Sequence, residues 1–374
     1  MTHEPSPNQG QPSSAQSALH LPGLNALRFY AAISVVIAHT DHNFAPFRTQ
    51  PAGFTWLNAL AMDAQSAVSL FFVLSGFLIT FLLLRERSGQ GTIAVGRFYI
   101  RRMLRIWPLY YLIVGIGFLF IPAVLPDLQP YSGFPAENAL LVLFLLPNFV
   151  TGLGPLEHLW SIGLEEQFYL TWPWVLKHKE NLLRVILGIL IVKILVFPAV
   201  LLFHTDSVTN LYYGLRFECM AIGGLGAFLY HTQHRFLHYL YSLPSKISSL
   251  IGIVLLALID FPVCEPLVLL TAFLFMILLL NLSTGPQWGL RLEIPVLNGL
   301  GQMSYGIYMY HYPLLYLVLA ILRRSEIQEG DLYSAILYGM VVSGTLVLAF
   351  ISYRWFESPF LRLKDTFAFI HTRS

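Results

Sequence analysis

Apolar residues run along this chain in long, nearly unbroken blocks, and the length of those blocks predicts its architecture. A helix needs about 20 apolar residues to cross a hydrocarbon core, because its backbone groups must there be satisfied within the segment. Windows of that kind fall near residues 24–42, 59–84, 106–125, 157–176, 182–203, 208–230, 246–260, 265–283, 296–322 and 332–356. They predict an all-α fold, a polytopic membrane helix bundle of about ten transmembrane helices. The stretch 137–150, ENALLVLFLLPNFV, is apolar but short, and suits a re-entrant or interfacial helix better than a span. If it spans, every later segment inverts.

The distribution of charge chooses between those topologies. With the amino terminus inside, the basic residues from Arg85 to Arg105, then Lys177, Lys179, Arg184, Arg235, Lys246, Arg291, Arg362, Lys364 and Arg373, all fall on the cytoplasmic side. The outer loops keep Arg48, Arg323 and Arg324, together with acids such as Asp127, Asp260, Glu326 and Asp331. Both termini are therefore expected to be cytoplasmic. Composition agrees with a lipid environment: 56% of the 374 residues are hydrophobic and 11% charged, against roughly 25% charged in soluble domains. Residues 1–20, rich in Pro, Ser and Gln, are expected to form a disordered cytoplasmic tail, with 365–374 as a second tail. Cys219 and Cys264 fit no metal spacing, and no structural disulfide is expected of them.

Ionisable groups inside spanning helices are costly, so each is a candidate for function. The first window carries Arg28 and, eleven residues on, His39; on a helix these share a face, separated by ~16 Å along the axis. Arg28 snorkelling to headgroups and His39 packing as a core residue would fit the same spacing. The run RFYIRRMLRIWPLYY repeats Arg97, Arg101 and Arg105 at intervals of four and adds Arg102. Guanidinium forks bind phosphates bidentately, although taken by itself such a ridge is better explained by anchoring to anionic lipid. In HLWSIGLEEQFYLTWPW, Glu165 and Glu166 lie within an apolar window. One could orient and charge a catalytic imidazole; a buried salt bridge to Arg216 or Lys193 is the alternative. Adjacent residues point about 100° apart, so the two acids are not expected to share one task. Ser304, Tyr305, Tyr308 and His311 fall on the ninth window. His231, His234 and His238 are helically spaced but lack a thiol or carboxylate at ligand spacing, and no metal site is expected. No phosphate-binding loop, dinucleotide fingerprint or nucleophile elbow is present.

Taken together, these segments resemble the acyltransferase family 3 membrane proteins. LPGLNALRFYAAISVVIAHT resembles the family's Arg, ten residues, His signature, here Arg28 and His39; SLFFVLSGFLI its second helix, with Ser75 and Gly76; RRMLRIWPLYYL its R-x-x-R element, here Arg102 and Arg105. HLWSIGLEEQFYL resembles the W-S-L-x-x-E-x-Q-F-Y block, with Ile162 in place of Leu, and GQMSYGIYMYHYPLL and YRWFESPFLRLK the closing blocks. The likeness runs from about 21 to 364, in order. Where many members have Gly and Asp ahead of the Phe pair, this chain has Ala67 and Ser69. Some members continue into an extracytoplasmic transferase domain. This chain ends at Ser374, so acceptor chemistry is expected at the bundle or on a separate partner.

The resemblance implies a multi-pass protein of the bacterial inner membrane, with 21–364 as the acyltransferase domain and acyl-CoA as the donor. The acyl group, most commonly acetyl, would go to a hydroxyl of a cell-surface glycan or lipid-linked saccharide. No tightly bound cofactor, metal or nucleic acid is implied. His39 is then the candidate general base or acyl-accepting nucleophile, with Glu165 as its candidate orienting partner. Arg28, Arg102, Arg105 and Arg101 are candidates for donor phosphates, and Ser75, Tyr305, His311 and Arg216 for substrate. Two rival readings are a flippase for lipid-linked glycans without acyl transfer, and O-acylation of a small secondary metabolite.

Overall fold

The computed structural model describes residues 21–44, 61–124, 136–177, 182–203, 212, 214–258, 265–285, 292–325, 327 and 330–368. The expected disordered tail 1–20 and most of the second tail lie outside them. Every apolar window holds a helix, and no strand occurs among the described residues. In chain order these are α1 (Leu24–Phe44), α2 (Ala64–Gln90), α3 (Val95–Gly115), α4 (Ala136–Leu143), α5 (Trp160–Lys177) and α6 (Leu182–Phe203). They continue with α7 (Phe217–His231), α8 (Leu243–Leu258), α9 (Glu265–Ser283), α10 (Pro295–Gln302), α11 (Ser304–Arg323) and α12 (Asp331–Ile351). A π-turn carries α3 on to Val124, and another carries α12 on to Asp365.

Six helices among the described residues are long and apolar enough to cross a membrane by length and composition: Ala64–Gln90, Val95–Val124, Leu182–Phe203, Pro266–Ser283, Ser304–Arg323 and Asp331–Asp365. Helices α1 and α5 are also of spanning length, but their apolar runs are interrupted by the polar residues singled out above. The helix of 137–150 has only eight residues, Ala136–Leu143, about 12 Å of rise, and a left-handed Leu145 (φ 62°) follows it. It is too short to cross. The window 296–322 divides at Met303 into α10 and α11. On α6 only 11% of the apolar window is buried inside the protein, at a mean hydropathy of 2.9; an outer face of that character belongs against lipid.

Helix α2 is the centre of the bundle, and its tightest partner is α7. The closeness has a definite cause. A Cβ on Gly76 would lie 1.9 Å from the Met220 carbonyl oxygen, and one on Gly223 would lie 2.1 Å from that of Val73. Small residues of this kind let membrane helices approach until their backbones touch, where packing and not hydrophobic burial drives association. Around that contact Trp172 of α5 donates its indole N–H to Thr80 of α2 at 2.7 Å and stacks on Phe168 with 4.4 Å between ring centres. Helix α1 packs on α2, α10, α11 and α12.

Replacing Gly223 by Ala is expected to cost about 1–3 kcal/mol through overpacking and to lower the unfolding temperature in detergent. Gly188→Ala, where an added Cβ meets nothing within 4 Å, is the control and should leave that temperature unchanged.

Candidate functional site

Five helices close around a cavity of about 100 Å³. Arg28 comes from α1, Ser75 from α2, Arg102 and Arg105 from α3, Ser161, Glu165 and Tyr169 from α5, and Ser304, Tyr305 and Tyr308 from α11. Apolar residues including Val68, Phe71, Phe72, Leu74 and Ile162 complete the wall. Six of the sequence's candidates thus meet in one place: Arg28, Ser75, Arg102, Arg105, Glu165 and Tyr305.

Helical geometry explains which side chains enter. Ser161, Glu165 and Tyr169 recur at steps of four on α5 and so share one stripe. Glu165 lies close to the Ser75 and Tyr169 hydroxyls and within the field of Arg102; Ser75 and Tyr169 bond each other. Glu166, a residue later, turns about 100° away and accepts the Trp107 indole N–H at 2.9 Å. The two acids have separate hydrogen-bonding neighbours, as their adjacency predicts, while Arg102 lies within the field of both. On α3, Arg102 lies over the Tyr169 ring at 5.0 Å, and Tyr305 donates its hydroxyl to the Ile106 carbonyl at 2.9 Å.

Two of the proposed arginines stand elsewhere. Arg101 bonds Glu86 at 3.1 Å and the Phe367 carbonyl at 2.9 Å. The basic ridge is therefore not one binding surface. Going round α3 it passes from exposed Arg97, through the paired Arg101, to Arg105 and then Arg102 at the cavity. Arg216, buried at the start of α7, bonds Gln65 and Ser69 of α2. Lys193 pairs with Glu218 at 3.4 Å and bonds the Tyr212 carbonyl. The salt bridges considered for Glu165 and Glu166 with Arg216 or Lys193 are thus replaced by nearer partners.

Beyond the cavity lies a cluster of imidazoles. His39 Nδ1 and His311 Nε2 are 2.9 Å apart, with rings parallel to within 9°. The partner at His39 Nδ1 is His311, whereas Glu165, the expected orienting group, faces the cavity. His311 Nδ1 in turn lies 2.5 Å from the Tyr308 carbonyl. A carbonyl only accepts, so His311 carries its proton on Nδ1 and, when neutral, accepts at Nε2. His39 must then donate from Nδ1, and its own Nε2 bears a lone pair. This tautomer, assigned from the hydrogen bonds, is the one a base or nucleophile requires.

His158, which the sequence reading passed over, joins this group. It is 1% exposed, and its ring stacks on Tyr312 at 5.4 Å and meets the His311 ring edge-on at 5.2 Å. Neither ring nitrogen has a hydrogen-bond partner among the described residues; the Met309 carbonyl lies near without hydrogen-bond geometry. The available signal was its place in HLWS, two residues ahead of the matched Trp160. Tyr308 separates the imidazoles from the cavity, touching both His158 and His311 with its ring. His231, from the trio with metal-like spacing, bonds Ser88 at 3.1 Å, and no metal-like gathering of His, Cys, Asp or Glu exists among the described residues.

The model of an acyltransferase domain, acyltransferase family 3, matches residues 21–354, which includes every residue of the cavity and of the imidazole cluster. The chain belongs to that family. A peptidoglycan O-acetyltransferase, OatA, of Listeria monocytogenes is 28% identical over 372 residues, covering 92% of this chain and 56% of that protein. An O-acetyltransferase OatA of Staphylococcus aureus is 25% identical over 390 residues, covering 94% of this chain and 59% of its own length. The chain therefore spans a little over half the length of these curated relatives. No solved structure matches.

Protein labelled with ¹⁵N-histidine is expected to show His39 as a neutral ring protonated at Nδ1, with Nε2 in the lone-pair range of chemical shift. His311→Phe should abolish that preference, and a His39 protonated at Nε2 in the unmodified protein would contradict the assignment.

Proposed function

We propose that this chain is a membrane O-acetyltransferase that takes acetyl groups from acetyl-CoA on the cytoplasmic side and delivers them to a hydroxyl of an extracytoplasmic glycan of the peptidoglycan type. Family membership and the names of the relatives support the reaction class. The observation that carries the reading is the placement of Arg28, Arg102 and Arg105 around one cavity with the His39–His311 pair beyond its Tyr308 wall.

In this reading the guanidinium groups hold the donor's phosphates by charge-assisted, bidentate bonds. The nucleotide phosphates lie against Arg28, Arg102 and Arg105, and the flexible pantetheine arm carries the thioester along the cavity that these residues line. The acceptor oxygen attacks the thioester carbon, its proton passes to His39 Nε2, and the C–S bond breaks. The same proton then neutralises the departing thiolate. With Nε2 as a lone pair, His39 could equally attack the thioester first and pass on the acyl group. Donor from the inside and acceptor on the outside follow the expected orientation, with both termini cytoplasmic in a bacterial inner membrane.

Purified protein in lipid is expected to release free CoA from acetyl-CoA when given peptidoglycan fragments, and His39→Ala should fall to background with its unfolding temperature retained. Release by that variant at the unmodified rate would remove His39 from the reaction. Absence of release from the unmodified protein would favour a flippase. Arg102→Ala should raise the KM for acetyl-CoA by roughly tenfold or more, the equivalent of losing a hydrogen bond to a charged group. Arg101→Ala should leave that KM alone and lower the unfolding temperature, because its partner Glu86 is left buried without a cation, holding only the Ala94 amide.

A further inference from the structure

Between the arginines and the imidazoles stand two hydroxyl groups to which neither the sequence motifs nor the family match gives a task. Ser161 Oγ and the Tyr308 hydroxyl are 2.6 Å apart, both are buried, and both residues line the cavity. Each also lies near one backbone acceptor, the His158 carbonyl: Tyr308 at 2.9 Å and Ser161 at 3.3 Å.

Counting protons distinguishes them. Each hydroxyl has one proton to give. The shorter bond to the His158 carbonyl belongs to Tyr308, whose aromatic ring packs against the His158 and His311 rings. The Tyr308 proton is thus committed, and Ser161 donates to the Tyr308 oxygen. The Ser161 hydroxyl alone can turn about its Cα–Cβ bond. It can give up one neutral hydrogen bond for another without leaving a buried donor unpaired. On α5 it sits one turn before Glu165, on the stripe that faces the cavity and next to the wall beyond which His39 lies.

We infer that Ser161 is a further catalytic residue, whose hydroxyl leaves its bond to Tyr308, turns into the cavity and donates to the thioester carbonyl oxygen of the acyl donor. The inference rests on the acyl-transfer reading above. When the acceptor oxygen attacks, the carbonyl π electrons move onto that oxygen and return as the C–S bond breaks. A donor already directed at it in a buried site lowers the barrier because the developing charge meets a dipole that needs no reorganisation. A donor used in this way acts on kcat rather than on ground-state binding.

The test compares Ser161→Ala with Ser161→Thr, which keeps the hydroxyl. Ser161→Ala is expected to lose roughly 10²-fold in kcat for CoA release, with the KM for acetyl-CoA within threefold and an unchanged unfolding temperature; Ser161→Thr should recover a substantial part. A second readout needs no turnover. In the His39→Ala background, acetyl-CoA labelled with ¹³C at the carbonyl should show its bound C=O stretch at lower frequency than when Ser161 is also Ala. A kcat for Ser161→Ala within threefold of the unmodified protein would overturn the inference. So would a loss that tracks KM or folded fraction, or an infrared band indifferent to Ser161. If the unmodified protein consumes no acetyl-CoA, the acyl-transfer reading falls and this inference with it, a result separate from a selective failure of Ser161.

Discussion

A charge withdrawn from water into a helix bundle must find a partner there, because the energetic penalty for leaving it bare is several kcal/mol. In this protein that requirement organises the interior. Arg101 is matched by Glu86, Lys193 by Glu218, Arg216 by Gln65 and Ser69, and Glu166 by the Trp107 indole. Each pair joins two different helices or a helix to a following segment, so the pairings also fix how the elements sit. A further group of charges converges on one cavity. There Arg28, Arg102 and Arg105 share Glu165 as the carboxylate in the wall, with Glu166 and Glu357 close enough behind to act on Arg102 and Arg105.

The close contact of α2 with α7 is the mechanical counterpart of that electrostatic arrangement. Gly76 allows the backbones to touch, and Ser75 beside it points into the cavity and bonds Tyr169. One turn or so further along α2, Thr80 receives the indole of Trp172. Thus α2 is held by α7 on one side and by α5 on the other, and the stripe of α5 that carries Ser161, Glu165 and Tyr169 is positioned by the same contacts. Backbone-to-backbone packing is stiff, which suits a site that must hold like charges a fixed distance apart.

Much of this was legible along the chain. The apolar windows determined the helices, because the cost of an unsatisfied backbone in hydrocarbon depends on local sequence alone. Spacing on single helices correctly put Glu165 and Glu166 on different faces, and the ordered motifs brought forward Arg28, Ser75, Arg102, Arg105, Glu165 and Tyr305, which the fold gathers together. The spacing of four that joined Arg97, Arg101 and Arg105 was less informative, since a ridge tells nothing of the neighbour it meets: Glu86 lies on another helix, and it claims Arg101.

What the sequence by itself determined, then, is what depends on periodicity and on solvent: helices, their lengths, and which residues would be expensive to bury. Only the tertiary structure decided who partners whom. That His39 hydrogen-bonds His311, 272 positions away, that the Tyr308 carbonyl sets the tautomer of both rings, and that His158 completes the cluster are contacts between α1, α11 and the turn before α5. No local pattern encodes them, because a hydrogen bond between distant segments is specified by where packing brings two helices together, and that packing is set by all the other contacts at once.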